Sequence, residues 1–279
     1  MTARSYLYVP GDDAGKLARA LSRGADALIV DLEDAVAPAR KDLAREQVLT
    51  WLAGLREPAS EIWVRVNDGA RRHADVDALR SAPNVTGLCL AKVRSADEVA
   101  DIDRRLGGTA VALMPLLETA GAVYDARLIA AAPRVQALQL GEVDLSADLG
   151  IEPGPDGLEL LWARSQVVAA SAAAGIDPPV APVSVDFRDL TAFAASTQAL
   201  RRLGFFGRAC IHPAQLPTVH DVFTPTAAQI ERARRVVALL DGDRTGVALD
   251  EDGRMVDEAV VRSARRVLAV AGGTRPETT

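Results

Sequence analysis

Residues 27–34 read ALIVDLED, an apolar run that passes directly into three acidic residues separated by one leucine. A short run of this kind predicts a strand buried on both faces, as in a parallel sheet. The acids at its end do not belong in an apolar core, because burying an unpaired charge is costly. The same pattern recurs along the chain, where apolar runs lead into Arg65, Lys92, Glu118 and the pair Glu142 and Asp144.

Eight short apolar runs alternate with helical stretches, and this alternation is typical of βαβ units around a parallel sheet. Two helix starts carry a capping-box signature, at Ser95 and at Thr226. We therefore predict an α/β fold, a TIM (β/α)8 barrel followed by a C-terminal helical arm. The eight predicted strands are Tyr6–Val9, Ala27–Leu32, Ile62–Val66, Gly87–Lys92, Val111–Leu117, Ala137–Val143, Pro182–Val185 and Gly207–His212.

The predicted domain boundary places the barrel in residues 1–222 and the helical arm in residues 223–279. Helical spacing of apolar residues begins after Thr226 and returns in Val256–Val270. Residues 241–253, between the two, are rich in Asp and Gly and predict a flexible link, and residues 272–279 predict a frayed tail. A flexible link followed by a helix outside the barrel suggests a lid, or an arm exchanged between subunits.

The composition excludes several classes of protein. The chain has 279 residues, of which 49% are hydrophobic and 25% are charged, as expected for a globular protein. Its net charge of −6 offers no basic face for nucleic acid. The N-terminus lacks signal-peptide organisation and no run approaches the length of a membrane span, so we expect a cytoplasmic protein with no membrane partner. Cys89 and Cys210 lie in apolar runs and are expected to be buried.

The charged residues at the strand ends form the candidate site. In a parallel barrel these ends meet on the face that carries TIM-barrel active sites. Burying so many charges together is costly unless they bind an ion or a substrate. We expect one pocket to contain Asp31, Glu33, Arg65, Lys92, Glu118 and Asp144.

A hard, oxygen-binding cation is the metal that this set of residues favours. Carboxylates come from different strands, and no Cys or His stands at metal-ligand spacing, so Mg²⁺ with Glu118 and Asp144 as ligands is the prediction. The guanidinium of Arg65 suits bidentate capture of a substrate carboxylate. Together these groups would hold an α-keto or α-hydroxy acid and stabilise an enolate oxygen. Lys92 is expected to pair with Asp31 or Glu33 rather than to form a Schiff base.

Seven short motifs, taken in order and spacing, resemble one family. The chain resembles the citrate lyase beta-subunit-like branch of the HpcH/HpaI aldolase superfamily, which includes malyl-CoA lyases, over nearly its whole length. The motifs are Tyr8–Gly11 (YVPG), Asp31–Val36 (DLEDAV), Arg65–Asn67 (RVN), Leu117–Ala120 (LETA), Asp144–Gly150 (DLSADLG), Cys210–Gln215 (CIHPAQ) and Gly253–Asp257 (GRMVD).

The resemblance implies a Mg²⁺-dependent carbon–carbon lyase that converts a hydroxyacyl-CoA into a 2-oxo acid and an acyl-CoA. It implies Mg²⁺ at Glu118 and Asp144 and a role for Arg65 in binding the substrate carboxylate. It also implies a homotrimer or hexamer in which the arm covers a neighbour's active site. Asp257 on that arm would then be the general acid/base that moves a proton at the acetyl carbon of the coenzyme A thioester.

The chain departs from the family pattern at three places. Relatives often have an Arg after the Pro-Gly turn for the coenzyme A phosphates, and here Lys16 or Arg19 would take that role. An Ile-Asp pair of relatives is replaced within Pro178–Pro182. Glu142 lies two positions before Asp144, where relatives more often have an acid immediately before it.

Three other functions use the same motifs. A thioesterase of the same fold would bind the same acid and direct water at the thioester. A citrate lyase beta subunit would act on an acyl-carrier-protein thioester within a complex. An aldolase on free hydroxy-keto acids would dispense with coenzyme A, although the arm that carries Asp257 argues against it.

Overall fold

The computed structural model describes residues 2–241 and 247–273. The chain forms two compact units that divide between His220 and Asp221. The first unit contains all the predicted strands. The second contains the segment predicted as an arm, and its role as an arm stays a prediction.

The first unit is built on a parallel sheet of seven strands, with helices in the connections, which makes it an α/β fold. The order across the sheet is β6-β5-β4-β3-β2-β1-β7, so sequential strands are neighbours except where β7 joins β1. The strands are β1 (Ser5–Pro10), β2 (Ala27–Asp31), β3 (Glu61–Val66), β4 (Gly87–Leu90), β5 (Ala112–Leu117), β6 (Gln139–Leu140) and β7 (Arg208–Cys210).

Ten helices connect or follow these strands. The capping box predicted at Ser95 is present in part, since the Ser95 hydroxyl accepts a hydrogen bond from the Glu98 amide at the start of the fourth helix. The helices are α1 (Ala14–Ala20), α2 (Lys41–Gly54), α3 (Gly69–Leu79), α4 (Ala96–Leu106), α5 (Ala120–Tyr124), α6 (Ala126–Ala130), α7 (Glu142–Leu149), α8 (Leu161–Ala174), α9 (Leu190–Leu203) and α10 (Leu216–Phe223).

The prediction of a strand at Pro182–Val185 is wrong. The chain pairs two residues earlier, where single parallel bridges join Gln139 to Val180 and Ala181 to Arg208. Proline has no N–H for a sheet ladder, and prolines flank this pair on both sides, so a longer strand cannot form. The Arg208 guanidinium instead donates from Nε to the Pro182 carbonyl at 3.0 Å. The two-residue segment thus connects the edge strands β6 and β7.

The sixth strand is also shorter than predicted, because Gly141 ends it and serves as the N-cap of α7. Glu142 and Asp144 therefore lie in the first turn of a helix, where the helix dipole favours negative charge. The fourth strand ends at Leu90, which leaves Lys92 in the following loop with a left-handed φ of 53°.

The interior of the sheet is filled by one apolar cluster. Its buried members lie on six of the seven strands, just before β1 and β6, and in the segment around Val180: Ala3, Tyr6, Ala27, Ile29, Trp63, Cys89, Met114, Leu116, Ala137, Val180 and Ala209. Cys89 and Cys210 are both buried, as expected, and burial raises the pKa of the Cys210 thiol to about 12. A thiol with such a pKa is a poor nucleophile at neutral pH.

The second unit is a pair of helices, α11 (Ala227–Asp241) and α12 (Glu258–Ala271), with the two-stranded antiparallel hairpin β8 (Ala248–Leu249) and β9 (Met255–Val256) between them. Buried Ala233, Val236, Val256, Val261 and Ala264 form its core. The capping box at Thr226 is confirmed, because the Thr226 and Gln229 side chains each accept from the other's amide. The predicted link, residues 241–253, thus includes the first strand and the turn of this hairpin, and the second strand lies just beyond it. Residues 242–246 of the link and the tail residues 274–279 lie outside the described residues.

Across the described ranges, every helix is too short or too polar to cross a membrane.

Gly87 is the position where the sheet tolerates no side chain. A Cβ there would lie 2.3 Å from a ring carbon of Trp63 and 2.8 Å from the carbonyl oxygen of Ala112. We expect Gly87→Ala to lower the free energy of unfolding by about 1–3 kcal/mol in urea titrations, since overpacking a core forces its neighbours to shift. Gly108→Ala is the matched control, because a Cβ at Gly108 meets no atom within 4 Å. Equal stability of the two variants would contradict this packing.

Candidate active site

A cavity of about 470 Å³ lies at the carboxyl ends of the strands. Its wall combines one cation with several carboxylates and with apolar residues. The lining includes Tyr8, Asp31, Asp34, Arg65, Leu116, Glu118, Gln139, Gly141, Glu142, Asp144, Val183 and Ile211.

The central contact of the site joins Arg65 to Asp31. The two residues are register partners on β3 and β2, and Arg65 donates from Nε at 2.8 Å and from Nη2 at 2.6 Å to the two oxygens of Asp31. Only 11% of the Arg65 side chain and 2% of the Asp31 side chain are exposed. Burial alone would lower the pKa of Arg65, but the hydrogen bonds and charge of Asp31 outweigh it and raise that pKa.

Glu33 and Asp34 extend this ion pair toward Lys92. Arg65 Nη1 lies 3.1 Å from Glu33 Oε2 and 3.4 Å from Asp34 Oδ2. Lys92 Nζ lies 2.7 Å from Glu33 Oε1 and 3.4 Å from Asp34 Oδ1, and the hydrogen bond to Glu33 raises the pKa of Lys92. Of the two partners predicted for Lys92, the structure shows Glu33.

The aromatic ring of Tyr8 packs against Arg65. The guanidinium carbon lies 5.2 Å from the centre of the Tyr8 ring, within the range of a cation–π contact. The Tyr8 hydroxyl donates to Gln139 Oε1 at 3.4 Å. The hydrogen bonds to Asp31 and the contact with the Tyr8 ring together fix the orientation of the guanidinium.

Glu118, at the end of β5, is nearly buried and has few compensating contacts. Its Oε2 accepts from the backbone N–H of Lys92 at 2.8 Å. Burial raises the pKa of Glu118 to about 7, and the negative charge of Asp144 adds to this shift. The Lys92 backbone conformation that presents this N–H is one that L-residues rarely adopt.

Gly141 makes room for Glu118. A Cβ on Gly141 would lie 2.4 Å from Cγ and 2.7 Å from Oε1 of Glu118. The residue before α7 must therefore be glycine if Glu118 is to keep its position beside Asp144.

Glu118 and Asp144 are the described residues that best fit a metal ion. Among residues 2–241 and 247–273, no group of three or more His, Cys, Asp or Glu side chains is arranged as a metal site. Mg²⁺ needs no such group, because it commonly takes one or two carboxylates and completes its shell with water and substrate oxygens. A buried carboxylate with a raised pKa beside a second carboxylate is an arrangement that a cation would stabilise.

Glu142, the unusual acid of this chain, points to Arg164 of α8. Arg164 donates from Nε at 2.6 Å and from Nη2 at 2.9 Å to the two oxygens of Glu142. The pair ties the first turn of α7, which carries Asp144, to the neighbouring helix.

A second cavity of about 470 Å³ opens beside the first. Its lining includes the predicted Lys16 and Arg19, together with Arg23, which was not predicted, and His212. The two cavities share part of their lining, namely Tyr8, Val9, Pro10 and Ile211. A cationic cavity of this kind suits the phosphates of an extended ligand.

The structure thus joins Asp31, Glu33, Arg65 and Lys92 in one ion-pair network. Of the six residues expected in one pocket, Asp31, Arg65, Glu118 and Asp144 line the cavity, whereas Glu33 and Lys92 lie outside its lining. Asp257 belongs to the second unit, where it is the N-cap of α12 and accepts from the Val260 amide at 3.0 Å. Tyr8 and Gly141 were missed as site residues, although Tyr8 lies in the YVPG motif, because their contacts are with residues distant in sequence.

The pKa of Glu118 predicts a pH dependence in the absence of divalent cations. A folded-state pKa of about 7, above the ordinary 4.5, means that the folded protein binds the proton more tightly. The stabilisation that comes from protonated Glu118 is complete below about pH 4.5 and is lost as the pH rises through 7. The free energy of unfolding of the wild type should therefore fall between pH 5 and pH 8, by up to about 3 kcal/mol relative to that of Glu118→Gln, which has no proton to lose. Urea titrations at the two pH values measure this difference. A difference that is constant with pH would contradict the assignment.

Comparison with known proteins gives consistent matches over the length of the chain. The profile of the HpcH/HpaI aldolase/citrate lyase family matches residues 4–213. A citrate lyase subunit beta-like protein of Deinococcus radiodurans is 33% identical over 283 residues, covering 95% of this chain and 96% of that protein. A (3S)-malyl-CoA thioesterase of Cereibacter sphaeroides is 34% identical over 272 residues, covering 96% of this chain and 94% of that protein.

The fold has a solved counterpart as well. The crystal structure of CitE from Mycobacterium tuberculosis in complex with magnesium, acetoacetate and coenzyme A has a TM-score of 0.79 and 32% sequence identity, and the match covers 96% of this chain and 97% of that one. The resemblance found in the sequence motifs is therefore confirmed. The chain belongs to the HpcH/HpaI aldolase/citrate lyase family.

Proposed function

We propose that this protein is a Mg²⁺-dependent carbon–carbon lyase that cleaves or forms a small hydroxyacyl-CoA, of the malyl-, citramalyl- or citryl-CoA kind. The observation that carries the proposal is the composition of one cavity, which sets the buried cation Arg65 in the same wall as the carboxylates Glu118 and Asp144. Arg65 would bind a substrate carboxylate, and Glu118 and Asp144 would bind the metal. The relatives include a citrate lyase subunit beta-like protein and a (3S)-malyl-CoA thioesterase.

In the proposed reaction, Arg65 binds the carboxylate of the hydroxy-acid part of the substrate. It would do so through guanidinium N–H groups that are not engaged by Asp31 and Asp34. Glu33, which is itself paired with Lys92, would hold Arg65 in position for that contact. Mg²⁺ bound by Glu118 and Asp144 would supply positive charge that stabilises the developing negative charge on the substrate oxygens. Breaking the carbon–carbon bond transfers the hydroxyl proton overall to carbon, and yields a 2-oxo acid and an acyl-CoA. Asp257 delivers that proton to the acyl-CoA enolate.

The coenzyme would occupy the second cavity. Lys16, Arg19 and Arg23 provide positive charge there for its phosphates. Because the two cavities meet at Tyr8, Val9, Pro10 and Ile211, an extended thioester can reach from one into the other. The crystal structure of the Mycobacterium tuberculosis relative contains magnesium, acetoacetate and coenzyme A together, which supports the binding of a small acid and the coenzyme to one protein of this fold.

Two architectural points belong to the same proposal. The bridges at Val180 and Ala181 would make this pair a minimal eighth strand, closing the sheet into a (β/α)8 barrel. The second unit would act as an arm that brings Asp257 to the site of a neighbouring subunit in a homotrimer or hexamer. A cytoplasmic location also stays a prediction.

The decisive experiment is product analysis. The purified protein is incubated with malyl-, β-methylmalyl-, citramalyl- and citryl-CoA, with and without Mg²⁺, and all products are read by mass spectrometry. A 2-oxo acid plus a shorter acyl-CoA, formed only with Mg²⁺, is the expected result. No turnover of any thioester would overturn the proposal and favour a citrate lyase subunit that acts on an acyl carrier protein.

Thioester hydrolysis is the second candidate, and the malyl-CoA thioesterase relative is the observation that favours it. It would use the same groups to bind the acid and would direct water at the thioester carbonyl. The same product analysis separates it, because hydrolysis releases the free hydroxy acid and coenzyme A.

Gly141→Ala tests the metal site without removing a ligand. The added methyl would displace Glu118, so we expect the affinity for Mg²⁺, measured by calorimetry, to fall at least about tenfold. Gly121→Ala is the control, because a Cβ there meets no atom within 4 Å. Unchanged affinity in Gly141→Ala would remove Glu118 from the proposed metal site.

Asp257→Asn tests the proton transfer. Asparagine still caps a helix, so α12 should persist. We expect kcat for the thioester to fall roughly 100-fold or more, as when a general acid is lost, with little change in KM. Glu258→Gln, which neutralises the exposed neighbour, should behave as the wild type. A normal kcat in Asp257→Asn would assign the proton to another group.

A further inference from the structure

We propose that Lys41 is a positioning residue for the carboxylate-binding side of the cavity, an inference that rests on the proposed role of Arg65. Lys41 does not line the cavity. It lies at the start of α2, behind the loop that connects this helix to β2. Its effect on substrate would pass through that loop.

All three donors of the Lys41 ammonium group bind oxygen atoms of the surrounding frame. Nζ donates to the Leu32 carbonyl at 3.1 Å, to the Glu33 carbonyl at 2.8 Å and to Asn67 Oδ1 at 2.5 Å. Two of these acceptors belong to the loop after β2, and the third follows β3. A single cation therefore fastens the loop that carries Glu33 to the strand that carries Arg65.

Asn67 is itself held in one orientation. Its backbone N–H and its side-chain Nδ2 both donate to Asp75 Oδ2, at 3.0 Å and 2.8 Å. Asp75 is fully buried, and its other oxygen accepts from Arg45 Nη1 at 3.0 Å. Because the amide nitrogen is bound to Asp75, the amide oxygen of Asn67 faces Lys41.

The consequence for the site lies in Glu33. Its backbone carbonyl binds Lys41, while its side chain binds Arg65 at 3.1 Å and Lys92 at 2.7 Å. Moving that backbone would change both side-chain contacts, and with them the position of Arg65. Groups behind a binding site commonly fix its geometry in this way.

The test compares Lys41→Met with Arg56→Met. Both variants remove one positive charge, but Arg56 lies in an exposed position just after α2. Calorimetry measures the affinity for oxaloacetate in the presence of Mg²⁺, and separately the affinity for coenzyme A. We expect Lys41→Met to bind oxaloacetate roughly tenfold or more weakly, with unchanged affinity for coenzyme A. Lys41→Arg, which keeps the charge, should recover part of the loss.

Asn67→Ser provides a second route if Lys41→Met does not fold, as judged by thermal melting. Serine is too short to reach Lys41 but can still donate to Asp75, and we expect the same selective loss of oxaloacetate affinity. Oxaloacetate binding equal to that of Arg56→Met, in either folded variant, would overturn the role of Lys41. Failure of the wild type to bind oxaloacetate at all would instead count against the proposed function.

Discussion

The buried ion pair between Arg65 and Asp31 is the contact on which the rest of the site depends. A guanidinium that is nearly excluded from water is stable only with a well-placed anion, and removal of Arg65 would leave the buried carboxylate of Asp31 without its paired cation. The parallel register of β2 and β3 supplies that placement, since the two residues are direct partners. From Arg65 the contacts continue through Glu33 to Lys92, and the backbone of Lys92 holds Glu118.

Charge is unevenly distributed around the cavity. On one side Arg65 and Lys92 are matched by Asp31, Glu33 and Asp34, so that positive and negative charge nearly balance. On the other side the negative charge of Asp144 disfavours ionisation of Glu118. Glu118 accepts one hydrogen bond that offsets this, from the backbone N–H of Lys92. The balanced side can keep its geometry without a ligand, whereas the unbalanced side gains most from a bound cation.

The sequence predicts this site well where local pattern and strand polarity suffice. Apolar runs that end in Asp31, Arg65 and Glu118 identify the cavity, because parallel strands bring their carboxyl ends together. The prediction of a strand at Pro182–Val185 was wrong because the prolines in this segment lack the backbone N–H groups that strand pairing needs, and hydrophobicity alone does not reveal this. The space that Gly141 leaves for Glu118 and the contacts of Lys41 arise between segments distant in sequence, so no local signal announces them.

The shared wall of the two cavities has a consequence for how this family can diversify. Four residues, Tyr8, Val9, Pro10 and Ile211, line both, and each of the other lining residues belongs to one of the two cavities alone. With the acid and the coenzyme placed as proposed, substitutions in the cavity of the acid can accumulate while the cavity of the coenzyme is inherited unchanged, and the reverse holds equally. Such separate inheritance gives a physical route by which relatives with one fold come to be named for citrate in one case and for malyl-CoA in another.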